Sequence, residues 1–326
     1  MADWTVNAEY SRAGNGTNLC PSYWVAALQD ALPVYDHWTQ FTQESLEAGG
    51  KLVRGGIGDT VYINYFDNIN VPTASLVEGT FIARGTQAST QVSITIAEEG
   101  HKLDISGLQE WLVPSNLEQY GLSSLVKNAV QRLDYIVGAV YVGATNYFAM
   151  AGTDATGINE NAHTGTRGTE YVYPDHVLWL RSRLARLGVE PYNIGGRQLY
   201  GWSAPPGAFN QLARQSEFYE QAARLNLDGP FTTGLVGVYG GFAFFEEAGA
   251  NCSTTYSSTV GTSVIHGLNS CVGAATIGGP DFMWMYNDVG DDGGRNARIL
   301  YKFRQGYSLT MQGTTNARVW KVYHKM

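Results

Sequence analysis

The sequence predicts an α+β protein organised around one long helix, and three observations carry that prediction. Apolar residues fall at helical spacing almost without a break from Leu122 to Met150. Alternating strand patterns lie on both sides of that stretch. Two of the strands are separated by Phe66 to Thr90, about two dozen residues, whereas hairpin loops usually take about 2 to 5.

In the helix, Leu122, Leu125, Val126, Ala129, Val130, Leu133, Ile136, Val137, Val140, Tyr141, Ala144, Tyr147 and Phe148 follow the i, i+3, i+4, i+7 template. Lys127, Asn128, Gln131, Arg132 and Asp134 fall mostly on the other side, so one stripe is buried. Its expected core positions are Leu125, Ala129, Leu133, Val137 and Val140. Ser123 or Ser124 can cap the start, and Gly152 follows the end. Such a helix is a spine about 40 Å long, several times the usual three turns. Gly138 and Gly143 weaken it by about 1 kcal/mol each, so packing along its length must hold it. Lys127, Arg132 and Asp134 exclude a membrane span.

Composition narrows the function. The 326 residues are 44% hydrophobic and only 15% charged, enough for a large core but poor in the charge that solvates an open surface. A net charge of -8, with no run of Lys or Arg, argues against a nucleic-acid reader. Cys20, Cys252 and Cys271 form no CxxC, so neither a disulfide framework nor a zinc knuckle is indicated. Met1 to Trp4 lacks the basic and apolar regions of a signal peptide.

Met1 to Gly16 reads as a polar arm. Pro21 to Leu32 has helical spacing, and a second short helix is expected from Tyr35 to Leu46. Thr60 to Tyr65 alternates as a strand, as does Gln91 to Ile96, with Val92, Ile94 and Ile96 on one side and an extension through Leu103 and Ile105. The long stretch between these strands is expected to leave the domain as a two-stranded arm. An isolated hairpin is marginal in water, so it must lie on something else. Pro174, Asp175 and the spacing Val177, Leu178, Leu180, Leu184, Leu187 predict another helix, stopped by Gly188. Arg197 to Trp202 is a strand, helical spacing returns at Phe209 to Leu212 and Phe218 to Leu225, and Leu235 to Phe245 is a Gly-punctuated strand region. This middle third reads as an α/β module. Ala250 to Gly279 is rich in Ser, Thr and Gly, and Phe282 to Tyr286 is a short strand. Arg298 to Phe303, Tyr307 to Met311 and Arg318 to Tyr323 are expected to close the chain as a meander beside the spine.

In that order, an N-terminal arm, a long hairpin, a spine helix, a middle module and a closing β segment resemble the major capsid proteins of tailed bacteriophages with the Hong Kong 97-type fold. The chain is most similar to their N4-like branch. The resemblance is carried by Gly58-Asp59-Thr60-Val61, Glu78-Gly79, Glu99-Gly100-His101-Lys102-Leu103-Asp104-Ile105-Ser106, Gly229-Pro230, Gly234-Leu235-Val236-Gly237 and Ala297-Arg298-Ile299-Leu300-Tyr301. It implies an N-terminal arm over 1–56, an extended loop over 57–107, a peripheral domain over 108–175 with its spine at 122–150, an axial domain over 176–279 and a closing peripheral segment over 280–326. It further implies a subunit of hexamers and pentamers in an icosahedral virion shell, assembled in the host cytoplasm without a membrane. Its partners would be a portal and scaffolding or cementing proteins, and it would enclose double-stranded DNA without reading sequence. The expected inter-subunit contacts are Ile69, Val71, Leu76, Val77, Phe81 and Ile82, which a thin arm cannot bury alone, with Glu78 and Arg84 setting register. The lysine crosslink of the type member has no counterpart, since no lysine lies between Lys51 and Lys102.

Enzyme chemistry is not indicated, and no catalytic, cofactor or metal residue is assigned. Gly201-Trp202-Ser203-Ala204-Pro205 matches only the first half of a nucleophile elbow. The glycines at 234, 237 and 240 lack phosphate-loop spacing. His37, His101, His163, His176, His266 and His324 are scattered, and each reads as a surface or satisfied core histidine. Asn287, Asp288, Asp291 and Asp292 lack the EF-hand pattern, and Glu98-Glu99 points to opposite faces of a strand. An encapsulin-type shell holding protein cargo and a β-rich carbohydrate-active enzyme are the alternatives.

Overall fold

A computed structural model describes residues 37–44, 46–47, 51–52, 54–55, 60–66, 89–106, 117–161, 168, 170–194, 196–215, 235–247, 260–276, 285–286, 296–311 and 317–325. After a 3-10 turn at Thr39–Phe41 come β1 (Thr42–Glu44), β2 (Leu46–Glu47), β3 (Lys51–Leu52) and β4 (Arg54–Gly55). Next are β5 (Thr60–Phe66), β6 (Ser89–Thr95), β7 (Ala97–Ser106) and helix α1 (Leu117–Val142). Strands β8 (Tyr147–Met150) and β9 (Ile158–Glu160) precede α2 (Pro174–Arg186). Strands β10 (Tyr192–Ile194) and β11 (Arg197–Ala204) precede the single turn α3 (Asn210–Ala213). The remaining strands are β12 (Leu235–Tyr239), β13 (Phe242–Glu246), β14 (Val260–His266), β15 (Cys271–Thr276), β16 (Met285–Tyr286), β17 (Asn296–Leu309) and β18 (Val319–Lys325).

Two large sheets organise these elements. The first runs β12-β13-β11-β14-β18-β8-β9 with β10 on β11. Side chains alternate across it: Trp202, Phe242, Phe244, Ile265, Trp320 and Val322 meet Val177, Leu180 and Leu184 of α2 on one face. Ala243, Phe245, Val264 and Val319 meet Val137 and Tyr141 of α1 on the other, together with Trp38 and Phe41. Every residue of β14 is therefore buried, which is why Ala250 to Gly279 carried no readable alternation. The sheet takes strands from before, within and after residues 176–279, so its strands do not come from the middle third of the chain alone.

The second sheet runs β1-β15-β17-β16, with β4 on β15 and β7 on β17. Strand β17 is a single 14-residue strand paired antiparallel to β7 along Asn296↔Ser106 to Gln305↔Ala97. The expected closing meander is thus corrected. Arg298 to Phe303 and Tyr307 to Leu309 are one strand, and β18 leaves to pair with β14 and β8 in the other sheet. A long partner strand and helix α1 across it favour continuing β17 over turning back.

Two further expectations need correction. Helix α1 starts at Leu117 and stops at Val142, not Met150. Tyr147 to Met150 instead lie between β18 and β9, where two ladders satisfy backbone groups that a lone last turn would leave open. Tyr35 to Leu46 is not a helix in its described part. Past Trp38 there is one 3-10 turn, and then Thr42–Glu44 pairs parallel with Cys271–Gly273, tertiary pairing overriding local spacing. The expected strand Phe282 to Tyr286 is a strand in its described part, Met285–Tyr286, and its first three residues lie outside the described residues. The helical stretches Pro21 to Leu32 and Phe218 to Leu225 lie outside the described residues.

Local chemistry explains the remaining ends. Helix α2 begins on Pro174, whose missing N–H costs nothing at a first helical turn, and is followed by Gly188 at φ +71. The β12–β13 turn is Gly240-Gly241, both at positive φ, where a side chain would also strike Val177 and Arg181 of α2.

Strands β5 and β6 form an antiparallel pair from Thr60↔Thr95 to Phe66↔Ser89. Val61, Ile94 and Ile96 of this pair are buried against Val272, with Ile63 and Tyr65 packed beside them. Gly306 of β17 is the point of closest approach, where a Cβ would overlap the Thr95 carbonyl and Ile94. Gly306→Ala should therefore push β6 away from β17 and destabilise the subunit by about 1 to 3 kcal/mol. Chemical denaturation checks this, and a change under about 0.5 kcal/mol would mean that β6 moves aside freely.

Candidate functional site

The candidate interface residues Ile69, Val71, Leu76, Val77, Glu78, Phe81, Ile82 and Arg84 lie outside the described residues. What is described is the base from which that stretch departs. The β5–β6 pair has one apolar face on the second sheet and one uncharged polar face turned outward. On the outward face Tyr62 is 61% exposed, Gln91 Nε2 donates to Asn64 Oδ1 at 3.2 Å, and the Thr60 and Thr95 hydroxyls are 3.4 Å apart.

Of the five spine positions, Leu125, Ala129, Leu133 and Val137 are buried and Val140 is half-buried. Beside that stripe, α1 meets the β7–β17 pair through polar contacts. Tyr301 Oη donates to Asn128 Oδ1 at 2.7 Å, and Arg132 reaches Glu99 at 3.0 Å while lying over the Tyr135 ring. Glu98 faces the other way, to Lys302 at 2.7 Å and Arg304 at 3.1 Å, which hold its carboxyl below the ordinary range. The adjacent glutamates thus sit on opposite faces and form no acid pair. These ion pairs are solvated, and exposed pairs contribute about 0 to 1 kcal/mol.

The most concentrated polar chemistry is buried, and it gathers residues that looked unrelated along the chain. The segment from His37 to Glu44, here called the strap, enters between α1 and the first sheet. Asp134 of α1 accepts the backbone N–H groups of both His37 and Trp38 on one oxygen. Trp38 stacks on Tyr141 at 4.9 Å, and Phe41 lies 4.9 Å from Phe245 and 4.4 Å from His266. Ser203 Oγ lies 2.9 Å from His37 Nε2 and 3.2 Å from His266 Nε2. On its other nitrogen His266 meets Tyr192 Oη at 3.0 Å. Tyr141 Oη donates to the Phe41 carbonyl at 3.0 Å and sits 3.0 Å from Ser270 Oγ.

Burial decides the electrostatics. Desolvation, with the neighbouring His37 ring adding to it, pushes His266 down to about 3, so its imidazole is neutral at pH 7. Desolvation also raises the Tyr141 and Tyr192 phenols and pushes the Cys271 thiol up to about 12. A serine between two imidazoles is the raw material of nucleophilic catalysis. Here, however, Ser203 is fully buried near the end of β11, still paired with Phe245 of β13 and Val264 of β14 and not exposed on a strand-to-helix elbow. Gly201 leaves no spare room, since a Cβ there would overlap the His266 ring. The arrangement holds the strap within a packed core.

No linear signal joins these residues, since His37 and Ser203 are 166 positions apart and Ser203 and His266 are 63. Of the other histidines, His176 and His324 are buried, His101 is exposed and His163 lies outside the described residues. Asn287, Asp288, Asp291 and Asp292 also lie outside them. Among the described residues no cluster of three or more His, Cys, Asp or Glu is placed to hold a metal ion, and no helix is long and apolar enough to cross a membrane.

No family model matches the chain, and no curated relative matches it. Solved structures do. The capsid of Ralstonia phage GP4 superposes with a TM-score of 0.61 at 15% identity, covering 89% of this chain and 91% of that one. The acid-stable capsid of Helicobacter pylori bacteriophage KHP30 gives 0.59 at 14%, covering 90% and 91%. The capsid of cyanophage Pam1 gives 0.54 at 14%, covering 82% and 85%. Coverage near nine-tenths of both chains in the first two extends the likeness to the whole fold. The chain therefore has the fold of bacteriophage capsid chains.

Proposed function

We propose that this chain is the major capsid protein of a tailed bacteriophage, with the Hong Kong 97-type fold, which assembles as hexamers and pentamers into the icosahedral shell enclosing the DNA. The observation that carries the reading is the likeness to phage capsid chains over about nine-tenths of this chain and of theirs. The order of elements supports it: a two-stranded base for an extended loop over 57–107, a spine, a middle module over 176–279 as axial domain and a closing β segment. The N4-like branch rests on the short motifs quoted above. Its polar neutral arm base and net charge of -8 suit a shell that confines DNA without gripping it.

In this reading Ile69, Val71, Leu76, Val77, Phe81 and Ile82 pack on a neighbouring subunit, while Glu78 and Arg84 set register. Replacing Val71 to Ile82 by a Gly-Ser turn should leave a folded subunit and abolish closed shells, as read by negative-stain microscopy and circular dichroism. Arg84→Ala should be mild. Closed shells of normal size from the shortened protein would refute the interface. A wild-type chain that stays a dispersed monomer, or forms only small shells around protein cargo, would overturn the capsid reading.

A further inference from the structure

The strap is held by an unusual device: two imidazoles converge on one hydroxyl in a buried core. His37 is 5% exposed, and Ser203 and His266 are fully buried. The groups facing His266 come from five elements. The strap brings His37, Trp38 and Phe41; β11 brings Ser203; α1 brings Tyr141; β10 brings Tyr192; and Cys271 of β15 lies beside the two phenols. Ser270 Oγ reaches both phenols. Asp134, on α1, directs one carboxylate oxygen to the strap backbone. A proton arriving on His266 thus meets a second imidazole, hydroxyls and aromatic edges.

The two sides of this contact are not equally anchored. His266 lies in β14, paired with Gly201 of β11 on one side and Val319 of β18 on the other, in the interior of the larger sheet. The strap's own pairing is three residues long, Thr42 to Glu44 on β15. The short element is the one that can leave and let water reach the ring, in the manner of a local opening below the free energy of global unfolding.

We propose that His37, Ser203 and His266 form a proton-sensitive clasp that keeps residues 37–44 in the core, and that acid releases the strap, β1 included, ahead of global unfolding of the two sheets. The inference concerns the subunit alone and stands whether or not the chain builds shells. Its consequence is that docking of residues 37–44 is coupled to proton uptake at one buried site.

Hydrogen exchange of the full-length chain tests it, with protection factors compared at pH 7.5 and pH 4.5 so that intrinsic exchange rates cancel. An imidazole titrating normally when exposed and near 3 when buried should lower the protection of Trp38 to Glu44 about 100-fold at the acid pH. The central amides of β11 and β14, which open only with the whole subunit, should fall as well but stay better protected than the strap at both pH values. His266→Asn should flatten the response of the strap, and His324→Asn, on β18 away from the strap, should not. Strap protection unchanged within about threefold, or equal to that of β11 and β14 at both pH values, would overturn the proposal. That wild-type comparison decides the matter even if His266→Asn fails to fold.

Discussion

Trp38→Ala should cost the subunit about 3 to 5 kcal/mol, as much as removing an aromatic residue from the centre of a core. Trp38 is fully buried although it belongs to a strap with only three ladder residues of its own. Its ring stacks on Tyr141 and meets His37 edge-on at 5.1 Å, and its N–H shares the Asp134 carboxylate with His37. Removing the indole opens a cavity between α1 and the first sheet, on a side of the sheet that α1 and the strap cover together with Cys271 and Leu309 of the second sheet. Denaturant midpoints of the purified subunit measure the effect. Trp38→Phe should recover part of it, because an aromatic ring restores stacking. A loss below about 1 kcal/mol would mean that the strap contributes little to subunit stability.

Acid should destabilise the whole subunit well before its carboxylates titrate. His266 is held down to about 3 and His324 to about 4, both because burial disfavours the charged ring. The ordinary value is about 6.5, so between there and the folded values the unfolded chain binds more protons than the folded one. The stability these two rings contribute is complete above about pH 6.5 and is lost as the pH falls toward 3 to 4. Two protons give a slope of about 2.7 kcal/mol per pH unit, or about 4 kcal/mol lost at pH 5. His176, also lowered by burial, works in the same direction. Glu98 and Asp154, whose partners hold them low, lose their share only at lower pH still. Guanidinium midpoints at pH 7.5 and 5.0 read the difference directly. Equal midpoints would show that the rings become charged in the folded protein without penalty.

Much of this architecture was legible along the chain, wherever one face of an element stays in water. The stripe of α1, the alternation of β6 through Val92, Ile94 and Ile96, and α2 between Pro174 and Gly188 are all half-exposed, and half-exposure is what writes a period into a sequence. The β5–β6 base was readable for the same reason. Strand β14 was not, because it is buried on both faces and has no period to show.

By itself the sequence determined the amphipathic elements, their order, the weak net charge of the surface and the absence of a linear catalytic motif. These depend on near neighbours and on composition. Tertiary structure alone decided that Tyr147 to Met150 would be a strand, that the last β runs would divide between two sheets, and that His37, Ser203 and His266 would meet. Each of those outcomes turns on a partner far along the chain: a ladder that satisfies backbone groups, or a core that strips water from an imidazole. Local spacing cannot encode a partner more than a hundred residues away, and desolvation exists only after the core has closed around it.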